Sequence, residues 1–507
     1  MPAKVLCVGL DGAEAELVRG GIEAGWLPSL RALSEQGSCG ELWPPPCVSD
    51  HGIWTSFYSG RSPGTHGRSF VSQIRSGSYD VRPRPQRDFD GGYFWDALSR
   101  AGRRVAVVDV PKCEASADVL GVHLANWIVH TGEPLTVSSA PAELAGEVVA
   151  RHGEDPLPNC FNTGRSVDEY AAFRDLLVER VEAKTRLLLD LLERDDWDLL
   201  LGVYAGAHCV GHECWHLHDA SHPLHDADVT ARVGDPVRDV YAALDLAVGA
   251  LVEHAGPDAT VIVFSPMGMA SGESASPVLD DVLRRLDGEP PVGRGATGVA
   301  RALWRTLPLD VQKRRKPRRL ADAMFAAERS RRPCFAVPNN DAFGAIRLNR
   351  VGREPEGRLH PGPECEAFCQ QLERDLLDLV EVESGEPVVE TVKRREEFFG
   401  SNASEDLPDL FVIWRRGAPI RGVESAKVGR LAVPQPAVSG NHLFRGFYLA
   451  QGPGCDAQPG ANAAIEDLAP TIGALLGVSF EGLDGAPIAS VVGGSRESPH
   501  AGAQAGT

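Results

Sequence analysis

Apolar residues cluster in short runs separated by longer amphipathic stretches. Residues 5–10 form a brief apolar segment, as expected for a strand buried on both faces. Residues 13–36 read as helix interrupted at Gly25-Trp-Leu-Pro28, and 93–101 as helix ahead of a second buried strand at 104–110. A long amphipathic helix is expected over 167–193, a third strand over 199–204, a helix over 237–255 and a strand over 260–264. This alternation predicts an α/β fold: a central, mostly parallel sheet with helices on both faces. In such sheets ligands collect at the carboxyl ends of the strands. Asp11, His208 and the turn Ser265-Pro-Met-Gly268 all follow predicted strands, so they are expected on one edge.

The pattern breaks down over 271–333. There Lys313-Arg-Arg-Lys-Pro-Arg-Arg319 is strongly basic; a solvated loop or helix face is the simplest account, a lid attracting an anion the sharper one. A strand at 344–348, a helix at 364–380 and strands at 388–392 and 410–414 predict a smaller α+β cap. Residues 430–454 return to the main sheet, and 465–476 form a helix. The expected organisation is therefore core over 1–270, insertion and cap over 271–425, core again over 426–492, and a disordered Gly/Ala/Ser-rich tail over 493–507.

The chain has 507 residues, too many for one simple core without insertions or a second domain. Its 43% hydrophobic and 24% charged content is ordinary for a globular protein. A formal charge of -19 argues against binding nucleic-acid polymers or anionic membranes. An anionic substrate would then need local cations, and a bound metal supplies them. Eleven cysteines lack framework spacing, the amino terminus runs straight into a strand, and no apolar run reaches membrane-span length; these features predict a cytoplasmic protein with free thiols. Oligomeric state is not legible.

The candidate chemistry lies in Tyr204-Ala-Gly-Ala-His-Cys-Val-Gly-His212. On a helix, His208 and His212 share one face, close enough to grip one metal ion. His442, in Ser439-Gly-Asn-His442, offers a third imidazole, and Asp11 a carboxylate at the end of the first strand. Each also has a plainer reading: a solvated histidine pair, a loop histidine, and an aspartate capping the next helix. His66 in Gly64-Thr-His-Gly67 reads as a turn-stabilising residue, and Cys209 and Met267 as packing.

The order of several short motifs resembles the alkaline phosphatase superfamily, in particular its type I phosphodiesterase/nucleotide pyrophosphatase branch. These are Gly9-Leu-Asp-Gly12, Trp54-Thr-Ser-Phe-Tyr-Ser-Gly60, the helix-borne histidines, Gly440-Asn-His442, Asp467-Leu-Ala-Pro-Thr471 and Gly482-Leu-Asp-Gly485. The resemblance implies two metal ions, often zinc, flanking a nucleophile. His212 and His442 match one site, with His208 where an Asp is usual, leaving a three-histidine site suited to zinc, iron or manganese. The second site keeps Asp11, but its expected Asp-His-Gly turn reads Pro266-Met-Gly268, so one ion is the expectation. Asp50 falls at the nucleophile position, as ligand, base or attacking carboxylate, with Ser49 the alternative if the turn shifts by one residue. The implied function is a metal-dependent hydrolase or group transferase acting on a small anionic phosphate- or sulfate-type ester or anhydride, perhaps nucleotide-linked. The alternatives are a repurposed single-metal enzyme and a non-catalytic binding protein.

Overall fold

The computed structural model describes residues 3–86, 88–89, 91–130, 135–157, 160, 165–288, 326–339, 342–435, 438–457 and 460–493. A nine-stranded sheet forms its centre. Its strands are β1 (Ala3–Leu10), β2 (Ser38–Trp43), β3 (Val105–Val108), β4 (Gly121–Ala125), β5 (Ser138–Ala140), β6 (Trp197–Tyr204), β7 (Thr260–Ser265), β8 (Gly446–Gln451) and β9 (Ala463–Ala464). The spatial order is β9-β2-β8-β7-β1-β6-β3-β4-β5. The run β7-β1-β6-β3-β4 is parallel throughout; β8 inserts antiparallel between β2 and β7, and β5 closes the other side antiparallel to β4.

Alternate residues of these strands enter two separate cores, as the two-residue period of a strand dictates. Leu6, Val8 and Leu10 join one core, with the long helix Val167–Arg194 and the helix Pro236–Ala255; Val5 and Cys7 join the other, with the helices Asp50–Ser59 and Leu468–Leu475. Both faces are therefore apolar, which explains why β1 reads as a continuous hydrophobic run.

Where a single interrupted helix was expected at 13–36, the chain makes two, Ala15–Ala24 and Pro28–Gln36, separated by Gly25 in the left-handed conformation (φ 78°). The strand β2 was not anticipated; its burial is broken and its apolar positions are few. Two smaller sheets lie between Cys334 and Ala432. One has four strands in the spatial order Cys334–Ala336, Gly344–Leu348, Leu410–Trp414, Val389–Arg394; the other pairs Val380–Glu381, Gly422–Glu424 and Leu431–Ala432. The helix Pro363–Leu377 packs with them. The basic run 313–319 and the tail from 494 lie outside the described residues. Among the described residues no helix is long and apolar enough to cross a membrane.

Candidate metal centre

The carboxyl edge of the parallel strands gathers the candidate residues. The strand β6 ends at Tyr204, and the helix Gly206–His218 begins two residues later, placing His208 and His212 in its first turns. His442 arrives on a short strand, Gly440–Leu443, paired antiparallel with Gly268–Ser271. That strand lies against the histidine helix: a Cβ on Gly440 would stand 2.3 Å from the Gly211 carbonyl oxygen, so only glycine fits there. Gly12, with φ at +74°, is similarly required, because a Cβ would lie 2.8 Å from the His208 Cα.

The three imidazoles point inward. Nε2 of His208 is 3.1 Å from Nε2 of His212 and 3.1 Å from Nε2 of His442, and the latter two are 3.2 Å apart. The outward nitrogens of two of them are committed. His208 Nδ1 donates to Asp11 Oδ2 at 2.7 Å and His212 Nδ1 donates to the Gly440 carbonyl at 2.8 Å. A carbonyl or carboxylate oxygen accepts, so Nδ1 of both rings carries a proton and their Nε2 atoms face the shared centre. Burial, then the neighbouring His208, pushes His212 down to about 3; burial and the other two imidazoles hold His442 well below the ordinary value. Facing lone pairs repel, and a cation between them removes the repulsion. Nitrogens each about 2.0–2.1 Å from a tetrahedral zinc lie roughly 3.3 Å apart, close to the spacing found here. The cluster therefore fits a divalent ion.

Asp11, expected as a direct ligand, instead backs His208. Its Oδ2 receives the imidazole proton and its Oδ1 the indole N–H of Trp54 at 3.3 Å, so the carboxylate fixes the tautomer and ring angle from behind. Asp50, expected as ligand, base or nucleophile, is the first residue of the helix Asp50–Ser59. Its Oδ2 lies 3.0 Å from Lys112 Nζ, and its Oδ1 accepts from the His51 backbone N–H at 2.9 Å. Burial works to raise the carboxyl, but Lys112 and then His51 outweigh it and hold Asp50 well below the usual range. Asp50 shares one cavity with the three histidines, but its oxygens are turned to these partners. Ser49 is the N-cap of that helix: fully buried, its Oγ donates to the Ser69 carbonyl at 2.8 Å and accepts the His51 N–H. Ser49 is absent from the residues that line the cavity.

The turn at 266–268 brings no ligand. Met267 is fully buried in the apolar core with Trp54 and Phe264. His66 is a turn residue: its Nδ1 accepts the Arg68 N–H and its Nε2 bonds Ser56 Oγ.

Two residues escaped the sequence reading. Lys112 follows β3 and His130 follows β4, each just past the carboxyl end of a strand, which is the signal that could have found them. His130 stacks on His208 with ring centroids 4.0 Å apart and planes at 14°, and with His208 and His212 it forms a group able to hold a metal ion. Its Nδ1 is 3.3 Å from Cys209 Sγ. The loops carrying them are strapped by the long helix Val167–Arg194. Lys184 Nζ reaches Asp109 and the Ile128 carbonyl, and Arg180 reaches the Val129 carbonyl and Asp155. Asp109, Lys112 and Asn126 all hold positive φ (53°, 59° and 66°), a costly conformation that these anchors sustain.

Comparison with known proteins agrees with this architecture. The chain matches the type I phosphodiesterase / nucleotide pyrophosphatase family over residues 5–427. Phosphonoacetate hydrolase from Sinorhizobium meliloti 1021 is similar in structure, both in complex with phosphonoacetate (14% identity, TM-score 0.53) and with phosphonoformate (15%, 0.51); each match covers 92% of this chain and 94% of that one. Human ectonucleotide pyrophosphatase / phosphodiesterase 5 also aligns, at 13% identity and a TM-score of 0.46, over 95% of this chain and 97% of its own. At such identities the likeness speaks to the fold alone. No curated protein matches the chain.

Proposed function

We propose a function for a chain that belongs to the type I phosphodiesterase / nucleotide pyrophosphatase family: hydrolysis of a phosphate-type ester at a single metal ion held by His208, His212 and His442. The observation that carries it is the convergence of three Nε2 atoms within 3.2 Å, with the His208 and His212 rings oriented from behind by Asp11 and the Gly440 carbonyl. Three neutral imidazoles with an open position suit zinc best, with iron or manganese as alternatives. When bound, the ion supplies Lewis acidity toward a non-bridging oxygen of the substrate.

The protein's own groups do the rest. Asp50 takes the proton from an attacking water as the water oxygen bonds to phosphorus and the bond to the leaving-group oxygen breaks. Lys112 holds Asp50 in place and, since the 266–268 turn offers no ligand, serves as the second positive charge of the site. Asp11 keeps His208 in the tautomer that presents Nε2 inward.

The test is zinc-dependent release of 4-nitrophenol from bis(4-nitrophenyl) phosphate. Wild type should turn over; His212→Ala and Asp50→Asn should lose at least about a hundredfold while remaining folded. Unchanged turnover in His212→Ala would sink the proposal.

One observation favours a second reading. Met267 is fully buried and Pro266 has no ligating group, so the clamp that two ions place on attacking and leaving oxygens is not built from this turn. A one-metal enzyme repurposed for group transfer, elimination or redox chemistry would share this geometry. Iron in place of zinc, with no cleavage of aryl phosphoesters, would favour it.

A further inference from the structure

The candidate centre opens into a cavity of about 1110 Å³, slightly above the usual range for small-molecule sites. The polar side chains of its lining include His208, His212, His442, Asp50 and Lys112 at the metal end, and Ser72, Gln86, Arg421 and Gln435 besides. The exposed lining is nonetheless more apolar than polar, with Phe70, Val71, Leu135 and Leu224 from loops of the main body and Ile420 and Val433 from beside the small three-stranded sheet. Val71, Leu135 and Leu224 are 39%, 43% and 42% exposed. Three of the seven large apolar side chains left open to solvent among the described residues thus line this one cavity. A surface of this kind costs solvation until a ligand covers it.

The charges of the lining point the same way. Among the described residues its acids are Asp50 and Glu273, and its permanent cations are Lys112 and Arg421. Lys112 is committed to Asp50 at 3.0 Å, and Arg421 is paired with Glu383 at 3.1 Å. Two acids balance two paired cations, so among the described residues the lining carries no surplus positive charge for a polyphosphate chain.

We infer that the substrate is an ester joining one small anionic head to a bulky, uncharged, predominantly apolar alkyl or aryl group, which the walls formed by Phe70, Leu224, Ile420 and Val433 receive. The inference rests on the proposed metal-ester reading for the head and on the cavity walls for the body. The apolar group lies along walls contributed by both the main body and the smaller sheets, while the head sits at the histidines and Asp50.

The test is calorimetric titration of the full chain, with and without one equivalent of zinc, using methyl-, butyl- and octylphosphonate and uridine monophosphate. With zinc, affinity should rise roughly fourfold per added methylene, so that butylphosphonate binds about sixtyfold more tightly than methylphosphonate. Octylphosphonate should exceed uridine monophosphate by more than about tenfold. Leu224→Asp and Ile420→Asp should weaken octylphosphonate and leave methylphosphonate unchanged. Zinc-dependent binding that is flat across chain length, or tighter for the nucleotide than for butylphosphonate, overturns the inference and leaves the metal-ester reading standing. A chain-length series that persists unchanged without zinc supports the apolar site and contradicts the metal-ester reading. No binding of octylphosphonate in either state overturns the inference.

Discussion

Replacing Asp11 separates a carboxylate that orients a ligand from one that is a ligand. Asp11 is 1% exposed and holds two protons: the Nδ1–H of His208 at 2.7 Å and the indole N–H of Trp54 at 3.3 Å. In Asp11→Ala both donors lose their acceptor, and the His208 ring loses the contact that fixes its tautomer. Loss of such an orienting partner costs about 10–100-fold in metal affinity, equivalent to about 1.4–2.7 kcal/mol. The unpaired indole N–H adds about 1–3 kcal/mol of lost stability. Asp11→Asn keeps an acceptor oxygen for Nδ1 and gives up only the charge, so its metal affinity should fall between those of wild type and the alanine variant. The assay is zinc competition against a chromophoric chelator, with urea unfolding of the same samples to report stability separately. One zinc should remain per chain in both variants, bound more weakly. Retention of wild-type affinity in Asp11→Ala would refute the orienting role; complete loss of zinc from a folded Asp11→Ala protein would restore Asp11 as a direct ligand.

Further outcomes follow from the same geometry. Lys112→Met should lower kcat/KM on bis(4-nitrophenyl) phosphate by about a hundredfold or more without changing zinc content, and Lys112→Arg should recover part of it. Ser49→Ala removes a helix cap and should cost about 1 kcal/mol in urea unfolding while leaving kcat unchanged. Burial pushes the Glu466 carboxyl up to about 8 from 4.5, so the folded state holds an extra proton between those values and its stability falls as pH rises through that window. Glu466→Gln should therefore gain stability over wild type between pH 5 and pH 9, by up to about 1.4 kcal/mol per pH unit within the window; a constant difference across that range would contradict it.

The fold was legible because both faces of the sheet are covered. Double-sided burial writes the parallel strands as apolar runs, and β1, β3, β6 and β7 stand out accordingly. The strand β2 did not, since an outer strand with broken burial carries no strong period. At the site, helical spacing after a buried strand singled out His208 and His212, and its motif His442; the structure brings their Nε2 atoms together. The role of Asp11 was not readable: an aspartate after a strand serves equally as ligand or as support, and only the direction of the neighbouring imidazole decides. Lys112 and His130 stayed hidden because their placement depends on left-handed residues held by Lys184 and Arg180, which lie far along the chain. Such anchoring leaves no local pattern. Ser49 shows the converse, a plausible nucleophile in sequence whose hydroxyl is spent on Ser69 and His51.

The central claim is that three imidazoles hold one catalytic ion. Elemental mass spectrometry of the purified wild-type chain and of folded His212→Ala tests it most directly. About one zinc, or one iron, is expected per wild-type chain and none in the variant. Wild-type protein without a stoichiometric transition metal, or equal metal content in His212→Ala, would contradict it.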